Sequence, residues 1–199
     1  MLRSALVVVV AFVLGVVTAY AQGWLPEEMG SLANSAGTWT PVAFALSLVA
    51  TSAWLAALFG SASLLALLAG YVVGAQVQGL PSSTTTILFW GAAVLFAGPV
   101  LGLSAFWIKT RRDLLAAAGV GAVSGVLIGE GIYGLTRIAD TTSPPYWWAE
   151  IVVGLILLLA VAWRRLLGIR AVAVAGGVAL VTAATFVLVY SRAPSALLG

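Results

Sequence analysis

Residues 114–137 read LLAAAGVGAVSGVLIGEGIYGLTR. Apart from Glu130 and the closing Arg137, the stretch is apolar or small throughout. A membrane helix needs about 20 such residues to cross about 30 Å of hydrocarbon, and this segment meets that length. A carboxylate inside a span is costly, so Glu130 calls for a partner, a water-filled cavity or a function. A second acid, Glu150, falls early in the next apolar stretch.

Composition places the whole chain in the same class. Of its 199 residues, 62% are hydrophobic and 8% charged, against about 25% charged in soluble domains. A water-exposed globule of this size keeps a large wet surface and cannot hide that much apolar side chain, so the lipid bilayer must cover it. The net charge of +3 is no nucleic-acid footprint, because no Lys/Arg stripe lies beside exposed aromatics. Cysteine and histidine are both absent. Zinc, haem and non-haem iron sites of the usual kind therefore lose their main ligands, and no cofactor is expected. A Ser-His-Asp or Cys-His nucleophile cannot be assembled. The only lysine, Lys109, lies among arginines in a loop, which argues against a Schiff base inside the bundle.

Seven stretches qualify as spans: Leu2–Gln22, Thr40–Phe59, Leu64–Val77, Ile87–Ile108, Leu114–Thr136, Trp147–Trp163 and Ala171–Tyr190. The third is short, and six helices plus a re-entrant third segment is the alternative. Short links, Gly60–Ser63 and Lys109–Asp113 among them, leave no room for a soluble domain. The chain over residues 1–199 thus reads as a single all-α, polytopic membrane helix bundle with no sustained tandem repeat. With the N-terminus in the cytoplasm, Arg3, Lys109, Arg111, Arg112, Arg164, Arg165 and Arg170 face inward, and only Arg137 and Arg192 face outward. The positive-inside rule selects that orientation, and an odd helix count puts the C-terminus outside. Trp24, Trp39, Trp90, Trp147 and Trp148 then fall near the outer interface, with Trp107 and Trp163 near the inner one. Thr18-Ala19-Tyr20-Ala21-Gln22 resembles a signal-peptidase site, but the long apolar run before it is read as a retained span.

Small residues recur every four positions: Gly121, Gly125 and Gly129 on span five, Gly70 and Gly74 on span three, and Ala11, Gly15 and Ala19 on span one. That spacing lets helix backbones approach closely. Internal packing is the plain reading, and a docking groove for a membrane partner subunit is the sharper one. Pro99, after Gly98, should kink span four.

Glu130, Tyr133 and Arg137 are spaced i, i+3 and i+7 and share one helix face. Gly129, Gly131 and Gly134 surround them and leave room beside the carboxylate. Tyr146, Trp147, Glu150 and Gly154 fall near one face of the next helix, and the Pro144-Pro145 loop makes the two helices antiparallel neighbours. At about 1.5 Å per residue, both acids lie within about 12 Å of the outer ends of their helices. In the first outer loop, Pro26 followed by Glu27 and Glu28 suits the first turn of a short helix that Gly37 would end. Asn34 and Trp39 from this segment would cover the outer mouth as a lid. Three readings compete for the cluster: structural pairing with Arg137 or protonation, an aromatic-walled site for a small polar or cationic ligand, and a proton-coupled step.

The strings Gln22-Gly23-Trp24-Leu25-Pro26-Glu27-Glu28, Ser31-Leu32-Ala33-Asn34-Ser35 with Trp39, and Trp147-Trp148-Ala149-Glu150 resemble an uncharacterised family of small actinobacterial membrane proteins, a domain of unknown function. A looser likeness is to the substrate-binding S components of energy-coupling-factor vitamin transporters. It implies a ligand pocket at the outer face, partly closed by the first outer loop, and a first helix whose small residues dock a partner. Ala11, Gly15 and Ala19 look similar, although those proteins generally have six helices with both ends inside, and no vitamin-specific motif is present.

The expected function is small-molecule binding or transport in the bacterial cell membrane, alone or as a subunit of a larger transporter. Glu130 and Glu150 would hold the ligand, with Tyr133, Tyr146, Trp147 and Trp39 as walls and Asn34 contacting it from the loop. No nucleotide-binding P-loop is present. The rival readings are a structural or assembly subunit with no ligand of its own, and an intramembrane lipid enzyme. The second rival lacks the charged catalytic motifs such enzymes present, so no enzymatic activity is expected.

Overall fold

The computed structural model of the chain describes residues 2–33, 35–80 and 83–198. Among these residues all regular structure is helical: α1 (Leu2–Trp24), a 3-10 helix (Glu27–Ala33), α2 (Ala36–Ser47), α3 (Ala53–Val77), α4 (Thr84–Thr110), α5 (Leu114–Arg137), α6 (Pro144–Arg165) and α7 (Ile169–Leu198). Six of the seven α-helices, all but α2, are long and apolar enough to cross a membrane. Phe96, Leu159, Trp163 and Leu180 are among many large apolar side chains left exposed on these helices. A surface of this kind is at home in lipid and a liability in water.

The expected count of seven spans is corrected to six, and the reason lies between residues 36 and 77. The second expected span, Thr40–Phe59, is broken at Leu48–Ser52. Ser52 caps α3 by accepting a hydrogen bond from the Leu55 amide at 3.3 Å, while the Ser47 hydroxyl turns back to the Ala43 carbonyl at 2.7 Å. Gly60–Ser63, expected as a link, lies inside α3. Its small residues serve packing: a Cβ on Gly60 would run into the Gly98 carbonyl of α4, and Ser63 is fully buried. The glycine stop expected at Gly37 also moves. Gly37 sits within α2, whose start is capped by Ser35 accepting from the Thr38 amide at 3.1 Å.

The chain divides into two compact units. The first runs through Pro26 and resumes over Leu32–Phe106. In it α1 and α3 run parallel, since Val7 clusters with Phe59, Gly15 lies against the Leu67 backbone, and Gly74 lies against Val16 and Ala19. The short α2 carries the chain back along α3, from Trp39 beside Tyr71 to Leu46 beside the Val7–Ala50–Ala56–Phe59 cluster. Ala11 and Ala19 are buried in this packing and Gly15 meets α3. The small residues of α1 therefore serve the unit's interior, the plain reading of their spacing. Pro99 sits in a continuous α4 between Gly98 and Gly102, both of which approach α3 without room for a Cβ.

The second unit takes Glu27–Ser31 and the chain from Trp107 onward. Here α5 and α7 run parallel: Gly121 meets Ala175, Gly125 meets Ala179 and Thr182, and Gly129 meets Ala183 and Phe186. Between them in sequence, α6 runs antiparallel to α5, with Gly134 under Trp147, Gly131 against Trp147 and Ile151, and Gly154 against Ser124 and Leu127. Ala116, Ala117, Val120, Leu166, Ala171 and Ala175 form the apolar cluster at the other end of these three helices. Asp113 starts α5 by accepting from the Leu115 and Ala116 amides. The Arg111 guanidinium hydrogen-bonds the same carboxylate, with Nε at 2.7 Å, and holds its pKa down at about 2.

Candidate functional site

Two carboxyl groups are buried in the second unit. Glu130 projects from the C-terminal half of α5 and is 4% exposed; Glu150, on α6, is 7% exposed. α6 begins with Pro144 and Pro145 in its first two positions, where the missing amides would have no helical partner anyway. That start brings Glu150 beside α5, and Glu130 is the charged group that acts on it. Both oxygens of Glu150 are buried, and the side chain that meets them is the Glu130 carboxyl.

The aromatic groups surround this pair unequally. Trp147 is buried, donates from Nε1 to the Thr142 hydroxyl at 2.8 Å, and lays its ring over Gly134. Tyr146 packs edge-on against Trp147 at 4.8 Å between ring centroids. Tyr133 stands edge-on to Tyr190 of α7 at 5.3 Å, and Tyr190 stacks on Phe186 at 4.2 Å. Tyr190 lies within coulombic reach of Glu130, Tyr133 and Glu150. Neither Tyr190 nor Phe186 was a candidate from sequence. The signal that points to them is the four-residue spacing of Ala171, Ala175, Ala179 and Ala183, which matches the glycine spacing of α5 and sets α7 beside it.

Trp39 belongs to the first unit, where it contacts the rings of Tyr71 at 5.8 Å and Trp90 at 6.3 Å. Asn34 lies outside the described residues. Arg137 is exposed and makes no ion pair among the described residues, so of the competing readings the pairing with Arg137 is not the one seen.

The glycines beside Glu130 play a different part from the one expected. A Cβ on Gly131 would lie 2.7 Å from the Trp147 carbonyl, and one on Gly129 would lie 2.8 Å from the Ala183 Cα. These positions are filled by neighbouring helices, so glycine draws α6 and α7 onto α5 and does not open space next to the carboxyl.

Chemically, two adjoining carboxyl groups shielded from water cannot both stay charged without a compensating positive charge. The charge comes from a shared proton or from a bound cation. No group of three or more His, Cys, Asp or Glu side chains suited to a metal ion occurs among the described residues.

A multi-pass helical membrane protein with one buried carboxyl pair is the class that fold and site define. A family model covers residues 1–194, and the chain belongs to that family, the family of unknown function DUF6518. No curated protein and no solved structure matches the chain.

Proposed function

We propose that the protein is a cell-membrane carrier that binds a small monovalent cation at the Glu130–Glu150 pair, working alone or as the membrane subunit of a larger transporter. One observation carries the reading: two buried carboxyl groups adjoin on neighbouring helices. A negative site of this kind is completed by a positive ligand. The cation is small because α6 and α7 close on α5 around Glu130. Tyr133 and Trp147 form the walls, with Tyr190 added from α7. Binding and translocation, and not enzymatic conversion, is the activity that a site without a nucleophile supports.

The orientation that goes with this reading keeps the start of α1 in the cytoplasm, from the distribution of arginines. The acid pair then sits toward the outer half of the membrane, and the end of α7 lies outside because the short α2 adds a seventh crossing between the parallel α1 and α3. The parallel runs of α1 with α3 and α5 with α7 support it, because α2 and α6 each return the chain.

A melting series on the detergent-purified protein tests the proposal, using lithium, sodium, potassium, ammonium and methylammonium chlorides against N-methylglucamine chloride at equal ionic strength. At least one cation raises the melting temperature of the native protein, and Glu130→Gln and Glu150→Gln each remove the rise. No rise with any of these cations would sink the reading. The close glycine contacts favour one rival, a structural subunit whose acids share a proton and only pack helices. That rival takes over when both variants keep the fold and no cation stabilises the native protein.

A further inference from the structure

We propose that the two basic loops of the second unit form a binding site for the phosphate of an anionic phospholipid, held by Arg112, Arg164, Arg165 and Arg170. The loops, residues 109–113 and 164–170, read KTRRD and RRLLGIR. Six of the nine Lys/Arg residues of the chain lie in them, with Asp113 as the one acid. A topology signal alone does not require that concentration. The first unit carries Arg3 as its one basic residue, and its turn after α2, Leu48–Ser52, carries no charge.

The fold draws the two loops together. Arg165 donates from Nη2 to the Lys109 carbonyl at 3.0 Å. Leu166 and Ala171 share an apolar cluster with Ala116 and Ala117, and Ile108 packs on it. The ends of α4 and α6 and the starts of α5 and α7 therefore meet at one place. The single acid there is already engaged, because Asp113 caps α5 and accepts from Arg111. Arg112, Arg164 and Arg170 are exposed and make no ion pair among the described residues. Like charges gathered this way repel until an anion offsets them. Glu130 is not that anion, since it lies more than four helical turns along α5, about 24 Å from the start of that helix.

The apolar neighbours of these arginines identify the anion as a lipid. Trp163 directly precedes Arg164 and is 91% exposed, and Leu167 and Ile169 stand exposed between Arg165 and Arg170. Side chains of this kind sit at the level of the acyl chains and the glycerol, while a guanidinium on a long stem reaches the phosphate layer. Arginine suits a phosphate because its planar fork offers two parallel N–H donors to two oxygens. Basic recesses between the ends of membrane helices hold anionic headgroups by this pairing. A soluble anion gains nothing from Trp163, Leu167 and Ile169, whereas a phospholipid chain packs on them. The site is independent of the carboxyl pair and of the cation reading.

The test uses full-length protein in neutral detergent, stripped of bound lipid and titrated with dioleoyl phosphatidylglycerol, dioleoyl phosphatidylcholine or inorganic phosphate. Thermal melting follows stability, and native mass spectrometry counts the lipid retained. Phosphatidylglycerol should raise the melting temperature and stay bound, and the other two should do neither at equal concentration. The rise should shrink in about 1 M sodium chloride, where screening acts within about 3 Å. A variant combining Arg112→Gln, Arg164→Gln and Arg170→Gln should bind phosphatidylglycerol roughly tenfold more weakly. Arg3→Gln, at an exposed basic residue of the first unit, should bind it as the native protein does. Equal responses to the two lipids, or a full response in the triple variant, would overturn the site. A matching response to inorganic phosphate would make it a soluble-anion site and overturn the lipid assignment. Should the triple variant fail to fold, the lipid comparison and its salt dependence on native protein still decide.

Discussion

The two units share a plan and differ in one respect that matters for function. In each, a first and a third helix run parallel and meet through small residues, Gly15, Gly70 and Gly74 in the first unit and Gly121, Gly125 and Gly129 in the second. Among the described residues, the buried polar side chains of the first unit are all hydroxyls: Ser35, Thr40, Ser47, Ser63 and Ser104. The second buries Ser124 with Glu130 and Glu150. The first unit builds its helix pair with no buried acid, so the plan itself does not require one. The two acids are thus an addition of the second unit, at a location where desolvation works against them.

The comparison breaks most severely where the helices touch. Gly125→Leu and Gly15→Leu each push a side chain into a facing backbone, and overpacking of this kind destabilises by about 3 kcal/mol or more. Both variants should lose the monodisperse peak on size-exclusion chromatography. Gly177, which has open space around it, should take the same substitution with a change of less than about 0.5 kcal/mol in thermal melting.

Next in size are the acids. Glu130→Gln and Glu150→Gln should each weaken cation binding tenfold or more, about 1.4 kcal/mol, by calorimetry. Without cation, either variant should melt at or above the native temperature, because a neutral amide relieves the pair. A variant that melts well below native would make the acids structural and erase the contrast between the units.

Ser52→Ala in the first unit removes the cap of α3 and should cost about 1 kcal/mol, read as a lower melting temperature with cation binding unchanged. The smallest effect is at Asp113. The Arg111 hydrogen bond holds its pKa below the ordinary 3.8, at about 2. Its stabilising contribution is therefore present above pH 3.8 and is lost as pH falls through 2. Asp113→Asn keeps a capping side chain and loses the charge, so the gap in melting temperature between native and variant should close between pH 4 and 2.

Much of the architecture is legible from hydropathy. Expected spans Leu2–Gln22, Ile87–Ile108, Leu114–Thr136, Trp147–Trp163 and Ala171–Tyr190 each fall within an observed helix. The failure is confined to residues 40–77, where small and hydroxyl residues mean opposite things. Ser52 ends a helix by capping the next, whereas Gly60 and Ser63 continue one by fitting against α4. Nothing local separates the two cases, because the α4 backbone that decides them is dozens of residues away. The meeting of Glu130 and Glu150 is legible because a short Pro-Pro loop joins their helices. Tyr190 is not, since α7 reaches Glu130 through a pairing of distant glycines and alanines.

One consequence follows from the brevity of α2. Its 12 residues give a rod about 18 Å long, well short of the hydrocarbon slab of about 30 Å. The turn that follows, Leu48–Ser52, leaves Thr51 and Ser52 exposed, while its Leu48 and Ala50 amides donate to the Ala45 and Ser47 carbonyls. A bilayer that meets α2 along its length would thin there to match it. Bilayers of short-chain lipid should therefore suit this protein better than long-chain ones.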